Sequence, residues 1–141
     1  MSNVMFAAAP VAFAQAMMVF HPDPAEAGQE IEVPSGQRVT WVDAIHDAQG
    51  SEGNAMRFRF LAPSISGRKP IDSEAALADI AWLCENFALA RIPNIGPQVN
   101  QIVVSLMDQE IPFGEADDTV TQYFDAFNIT NGTCELELFY D

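Results

Sequence analysis

Positive charge is scarce in this chain of 141 residues, which has 20 acidic and only 6 basic side chains and a formal net charge of −14. The bases are scattered, and the single lysine, Lys69, stands beside Arg68. Because contacts to phosphate groups need clustered Lys and Arg, the composition argues against nucleic acid and anionic membrane surfaces as partners. The acidity is typical of a soluble, self-repelling surface. The alternative interpretation is an acidic inhibitor that mimics DNA.

The common motifs of catalytic and cofactor sites are also lacking. No Gly-x-Ser-x-Gly, phosphate-loop or Gly-x-Gly-x-x-Gly pattern occurs. Of the two histidines, His21 lies in a predicted linker, and His46 is the candidate general base of a small enzyme with an unrecognised site. An ordinary, partly exposed polar residue is the other interpretation of His46. The sequence therefore predicts no catalytic residue, no cofactor and no metal site, and it favours a protein that is not an enzyme.

The first twenty residues carry no charge of either sign and are rich in alanine. They are too short and too poor in large apolar side chains for a stable membrane span. Ala12-Phe13-Ala14 and Ala14-Gln15-Ala16 instead place small residues as a signal-peptidase site requires. The alternative, an N-terminal core helix, would contain Pro10, which costs about 3 kcal/mol inside a helix.

We therefore divide the chain into a leader, a linker and one domain. Residues 1–16 are a leader that resembles a signal peptide, and we interpret it as truncated at its start because a basic first segment is missing. Residues 17–29 are a linker rich in Pro and acidic residues, and residues 30–141 form a single domain.

Apolar periodicity within this domain predicts a small α+β fold, with an antiparallel or mixed sheet and one main helix packed on it. The helix is expected at about 72–87, with Asp72 or Ser73 as its N-cap. Its predicted buried stripe consists of Leu77, Ile80, Leu83, Cys84 and Phe87. Strands are predicted at Glu30–Val33, Met56–Leu61, Gln101–Met107, Val120–Ile129 and Cys134–Tyr140, whereas Val39–Ala48 fits a helix or a strand.

The strand at Met56–Leu61 alternates strictly, so its apolar side chains should face the core while Arg57 and Arg59 share the opposite face. Glu135 and Glu137 have the same spacing, and we expect them to form a cross-strand ladder of ion pairs with the two arginines. The functional alternative is a surface that binds anions through Arg57 and Arg59. The sequence segment from Glu110 to Thr119 contains four acids, and an exposed loop is expected there rather than a weak cation site.

The only two cysteines, Cys84 and Cys134, lie on the predicted buried stripe of the helix and on the apolar side of the last strand. Two cysteines in an exported protein usually pair, and a helix packed on a sheet can bring them within bonding range. The sequence favours a structural disulfide, and two independent buried thiols are the alternative.

Several blocks of the sequence occur in an order that resembles a known family. They are "VPSGQRVT", "MRFRFLAP", "LADIAWLCENFA", "QIVVSLMDQEIPFGE", "TQYFDAF" and "GTCELELF", which together span about 33–139. The chain is similar to small exported alphaproteobacterial proteins that form a domain family of unknown function. The resemblance implies an Ala-rich leader and two cysteines that match Cys84 and Cys134, but no catalytic residue. Some members are labelled acetolactate synthase, and we expect this label to be wrong because this chain is far too short to build a thiamine-diphosphate site.

Taken together, the sequence predicts a periplasmic or secreted α+β domain that acts as a binding or envelope-associated module without catalysis. Its expected partner is a protein or a small ligand, with no nucleic acid and no stable membrane span. The candidates for a binding site are Arg57, Arg59 and His46.

Overall fold

The computed structural model describes residues 17–20, 28–50, 53–96 and 98–138, and within them the side chains outside 17–20, 47–50 and 53. The predicted leader at 1–16 and His21 lie outside the described residues. No described helix is long and apolar enough to cross a membrane.

The described residues form one mixed sheet and one main helix, so the predicted α+β class is confirmed. The strands are β1 (Met17–Phe20), β2 (Glu30–Glu32), β3 (Arg38–Gly50), β4 (Gly53–Leu61), β5 (Gln101–Met107), β6 (Gln122–Thr130) and β7 (Thr133–Leu136). Their order is β1-β3-β4-β5-β6-β7, and β2 also pairs with β3. Only β4 and β5 pair in parallel, as the long connection between them allows.

The ambiguous segment Val39–Ala48 is part of the strand β3. It lies between β1 and β2 on one side and β4 on the other. Because its backbone groups form hydrogen bonds to these neighbouring strands, the segment is a strand and not a helix. The strand continues past this segment to Gly50, which pairs with Gly53 of β4.

The strand β1 begins the sheet inside the segment predicted as a linker. Its four residues pair antiparallel with residues 44–47 of β3. Regular structure therefore occurs upstream of residue 30, whereas the division into leader, linker and domain stays a prediction.

The helix α1 (Ser73–Leu83) lies in the connection between β4 and β5. Its N-cap is Asp72, one of the two predicted candidates, whose Oδ1 accepts a hydrogen bond of 2.8 Å from the backbone N–H of Ala75. The chain continues through a π-helical turn (Cys84–Ala88) and a 3-10 turn (Leu89–Arg91). These turns extend the helical segment slightly past the predicted end at residue 87.

The core lies between α1 and one face of the sheet, which we call the inner face. The predicted inward side chains Met56, Phe58 and Phe60 are all buried there. The ring of Phe87, from the turn after α1, contacts the sheet, since its centroid is 5.5 Å from that of Phe60 and 5.0 Å from that of Trp41, distances typical of favourable aromatic pairs.

One member of the predicted helix stripe is wrong. Leu77 is 38% exposed, whereas Ala76 and Asp79 are fully buried beside the correctly predicted Ile80 and Leu83. The helix is therefore rotated toward Asp79. A buried carboxylate is tolerated when it is hydrogen-bonded, and the partners of Asp79 supply that condition.

Asp79 accepts hydrogen bonds from the turn between β2 and β3. The backbone N–H of Ser35 donates to its Oδ1 (2.9 Å), and Ser35 Oγ and Gln37 Nε2 donate to its Oδ2 (2.5 and 2.8 Å). These bonds hold the turn against α1. No sequence motif indicates this contact, because Asp79 lies more than 40 positions from Ser35 and Gln37 along the chain.

Candidate functional site

The two predicted binding residues Arg57 and Arg59 lie on the face of the sheet opposite α1, which we call the outer face. Both extend from β4, where they alternate with the core residues Met56, Phe58 and Phe60. The alternation in the sequence therefore predicted the correct face for both arginines.

Arg59 is buried and paired with an acid on the neighbouring strand. Asp43 of β3 lies directly opposite it, and Arg59 Nε and Nη2 donate to Asp43 Oδ1 and Oδ2 at 2.8 and 2.6 Å. Both side chains are only about a tenth exposed (9% and 11%). Such a two-point guanidinium–carboxylate contact fixes the orientation of the arginine head.

The predicted ladder between the arginines and Glu135 and Glu137 is wrong. The strands β5 and β6 separate β4 from β7, so the two pairs of residues are not on facing strands. Glu135 lies opposite Asn128 of β6, and Glu137 accepts a hydrogen bond from Gln101 of β5. Equal spacing in the sequence did not indicate adjacency, because it contains no information on strand order.

The connection between β5 and β6, residues 108–121, covers part of the outer face. Asp108 joins the two ends of this loop, since its Oδ1 accepts a hydrogen bond of 2.9 Å from the N–H of Thr121. Its Oδ2 accepts a second bond of 2.7 Å from Ser66 Oγ, in the connection between β4 and α1. In the middle of the loop, the carbonyl oxygen of Ile111 accepts a hydrogen bond of 2.7 Å from Arg59 Nη1. The loop is therefore attached to the arginine that Asp43 orients.

The four acids between Glu110 and Thr119 are exposed, as predicted: Glu110, Glu115, Asp117 and Asp118. Hydrogen bonds from the side chain and backbone of Thr119 hold the pKa of Asp117 below its ordinary value. Within the described residues no cluster of His, Cys, Asp and Glu is arranged to hold a metal ion.

Phe113, also in this loop, contacts both arginines. Its ring centroid lies 5.7 Å from the Cζ of Arg57 and 5.9 Å from the Cζ of Arg59. The ring of Phe124 lies 5.7 Å from the same Cζ of Arg57. The half-buried guanidinium of Arg57 therefore contacts two aromatic rings, which attract a cation and restrict its position.

A pocket of about 200 Å³ opens between the loop and the sheet, and we call it the outer-face pocket. It is lined by Arg57, Arg59, Ser105, Ile111, Pro112, Phe113, Gly114, Glu115 and Gln122. Ser105 of β5 lies opposite Arg59 on one side and Phe124 on the other. Because its side chain is much shorter than those two neighbours, it leaves space above the sheet.

Ser105 is a buried polar residue of this pocket that the sequence analysis does not single out. It is 1% exposed, and its Oγ is buried without a hydrogen-bond partner in the described structure. A buried hydroxyl without a partner costs roughly 1–3 kcal/mol. The only available signal was a serine within the otherwise apolar run "IVVSLM".

His46, the third predicted candidate, does not join the arginines. It lies opposite Met56 in the pairing of β3 with β4, and it therefore points to the inner side of the sheet. The nearby carboxylate of Asp43 pairs with Arg59 on the outer side. The structure thus separates His46 from the outer-face pocket.

Cys84 and Cys134 form the predicted disulfide. Their Sγ atoms are 2.10 Å apart and their Cα atoms 6.3 Å apart. The bond joins the π-helical turn after α1 to the edge strand β7. Beside it, the backbone N–H of Cys134 donates a hydrogen bond of 3.1 Å to Glu85 Oε1, so two contacts attach β7 to the helical segment.

Residues 7–139 of the chain match the Family of unknown function (DUF6497). The chain belongs to DUF6497. The resemblance inferred from the sequence blocks is therefore confirmed as a domain family of unknown function. No curated protein and no solved structure matches the chain. A functional proposal for this member of DUF6497 therefore rests on the geometry of its own structure.

Proposed function

We propose that this chain is an exported binding module, periplasmic or secreted, whose fold is cross-linked by one disulfide and whose ligand site lies on the outer face of the sheet. The observation that carries the proposal is the bond between Cys84 and Cys134. Structural disulfides form and persist in oxidising compartments and are rare where thiols are kept reduced. The leader predicted at 1–16 supports the same compartment.

Binding rather than catalysis is supported by how the polar groups are used. The buried acids Asp43 and Asp79 are held in hydrogen bonds to neighbouring parts of the fold, and this arrangement suits a structural role. His46 lies on the other side of the sheet from Asp43. The outer-face pocket, in contrast, combines positive charge, aromatic rings and a hydroxyl in one concave place, as small-ligand sites do.

Mass spectrometry of the protein recovered from separated cell fractions tests this proposal. We expect the periplasmic or external fraction to contain a chain cleaved after Ala14 or Ala16, with a mass two hydrogens below that of the reduced form. A variant with Cys84→Ser and Cys134→Ser is the matched control, because it has the same leader but cannot lose the two hydrogens. An uncleaved chain in the cytoplasm with two free thiols would contradict the proposal.

A further inference from the structure

We propose that the outer-face pocket binds a small oxyanion, a carboxylate or a phosphate-type group, by means of Arg57 and Ser105. This inference rests on the proposed binding function and names the ligand class of the same site. Its evidence is independent of the disulfide: two guanidinium groups, a buried hydroxyl and a defined volume lie together under residues 108–121.

The positive charge of the pocket is held in place before any ligand arrives. Arg57 contacts the rings of Phe113 and Phe124, and Arg59 is fixed by Asp43 and by the carbonyl oxygen of Ile111. Side chains that are already ordered lose little conformational freedom on binding, which favours affinity for small ligands. Because Asp43 and the carbonyl oxygen of Ile111 already occupy the head of Arg59, we assign the contact with the anion to Arg57.

Ser105 provides a hydrogen-bond donor at the floor of this pocket. Its hydroxyl is buried without a partner, and a ligand oxygen above it would accept its hydrogen bond. Bonds from neutral donors to charged acceptors are among the stronger ones in proteins. An oxyanion could therefore accept a hydrogen bond from the hydroxyl and lie against a positive charge at once, which a neutral apolar ligand could not do.

The volume limits the size of the ligand. About 200 Å³ is below the roughly 300–1,000 Å³ of pockets that hold drug-sized molecules, so the bound group has only a few heavy atoms. The binding free energy per non-hydrogen atom has an upper limit even for the best very small ligands. For a molecule the size of acetate, that limit means a Kd no lower than about 40 µM. We therefore expect binding in the high-micromolar to millimolar range.

The net charge of −14 does not prevent this interaction. At physiological ionic strength the Debye length is about 8 Å, so exposed acids elsewhere on the surface are largely screened from the pocket. Glu115 is the acid in the pocket lining, and it is exposed. Among the residues that line the pocket, two arginines stand against this one acid.

The test is an NMR titration of the purified, disulfide-bonded chain, labelled with ¹⁵N. Sodium acetate and inorganic phosphate are the two probes, and acetamide, a neutral molecule shaped like acetate, is the control ligand. We expect saturable amide shifts in β5 and in the loop 108–121 with at least one of the two anions. Acetate alone identifies a carboxylate site, and phosphate alone identifies a phosphate site. Equal shifts with acetamide, or no saturable shift with either anion, would overturn the inference.

Two variants assign the contacts. Arg57→Met should weaken anion binding by tenfold or more, and Ser105→Ala should weaken it by about tenfold, because each removes a hydrogen bond to a charged group. Arg38→Met is the matched control: it removes the same charge from an exposed residue paired with Glu30 (2.9 Å) at the sheet edge, and it should leave the affinity unchanged.

Thermal unfolding of Ser105→Ala in the absence of anion tests whether the hydroxyl of Ser105 stabilises the fold itself. Removal of a hydroxyl without a partner should leave the Tm unchanged or raise it. A lowered Tm together with unchanged anion affinity would show that the hydroxyl bonds within the fold, and the inference would be wrong.

The two proposals fail separately. An exported, oxidised chain that binds neither anion refutes only the oxyanion site. A cytoplasmic, reduced chain that binds acetate or phosphate through Arg57 refutes only the export.

Discussion

Reduction of the disulfide between Cys84 and Cys134 removes one covalent bond and leaves every side chain in place. The two residues are 50 positions apart. In the chain-entropy relation, a loop of about this length lowers the entropy of the unfolded chain by roughly 14 cal/mol/K, which destabilises the unfolded state by about 4 kcal/mol at 25 °C. We therefore expect the free energy of unfolding to fall by about 4 kcal/mol on reduction, a large share of the 5–15 kcal/mol typical of a domain.

Urea unfolding of the oxidised and reduced chain measures this difference. The fluorescence of Trp41 and Trp82 reports on the core, because Trp41 is buried and Trp82 packs against the core cluster. With an m-value of about 2 kcal/mol/M, the expected loss corresponds to a midpoint lower by about 2 M. Reduction is preferable to substitution by alanine, because Cys84 is fully buried and deletion of its sulfur would add the cost of a cavity.

The structure also predicts where the effect is concentrated. The bond attaches β7, an edge strand, to the turn after α1. Amide exchange should therefore accelerate first in residues 133–136 of the reduced chain, and later in β5. Midpoints within about 0.5 M of each other would refute the claim that the cross-link is a main source of stability, since that gap corresponds to only about 1 kcal/mol.

Three further predictions concern charged groups. Asp79→Ala removes a buried acceptor of three hydrogen bonds and should lower the free energy of unfolding by about 2–4 kcal/mol in urea unfolding, whereas the same change at exposed Glu74 should cost much less. Arg59→Met leaves Asp43 buried without its cation and should cost about 3–5 kcal/mol, while Arg59→Met combined with Asp43→Leu should recover most of the loss in a double-mutant cycle. Burial raises the pKa of Asp125 above its ordinary value of 3.8. Between the ordinary and the raised pKa the folded chain therefore holds more protons than the unfolded chain, and the free energy of unfolding falls as the pH rises through this window. Asp125→Asn should therefore raise the Tm at pH 7 and leave it nearly unchanged at pH 3; an equal rise at both would contradict the assignment.

Sequence patterns correctly predicted the structural features that depend only on residues close together in the chain. The alternation around Phe58 assigned inward and outward faces correctly, and the N-cap at Asp72 follows from the side-chain oxygen that the first turn of a helix needs. The turn between β6 and β7 is local as well, since Asn131 and Gly132 both have positive φ (53° and 77°), as a tight hairpin turn requires. Each of these features depends on neighbours within a few positions.

Features that depend on distant contacts were missed or wrong. Leu77 was assigned to the core because it is apolar, yet the three hydrogen bonds at Asp79 favour a helix rotated away from it. Asp43 was not recognised as the partner of Arg59, because the pairing of β3 with β4 was not known while Val39–Ala48 remained ambiguous between helix and strand. In both cases a polar contact over a long sequence distance overrode a hydrophobicity pattern.

The candidate site depends on one topological step that residue patterns do not encode. The segment between β4 and β5 crosses the inner face as α1, so these two strands run parallel and Ser105 comes to lie beside Arg59. That crossover also carries Cys84 to β7. Because α1 already covers the inner face, the outer face over β4 and β5 is left to the next connection along the chain, residues 108–121, which brings Phe113 onto the arginines. The disulfide and the outer-face pocket are therefore two consequences of the same crossover, although one stabilises the fold and the other is proposed to bind a ligand.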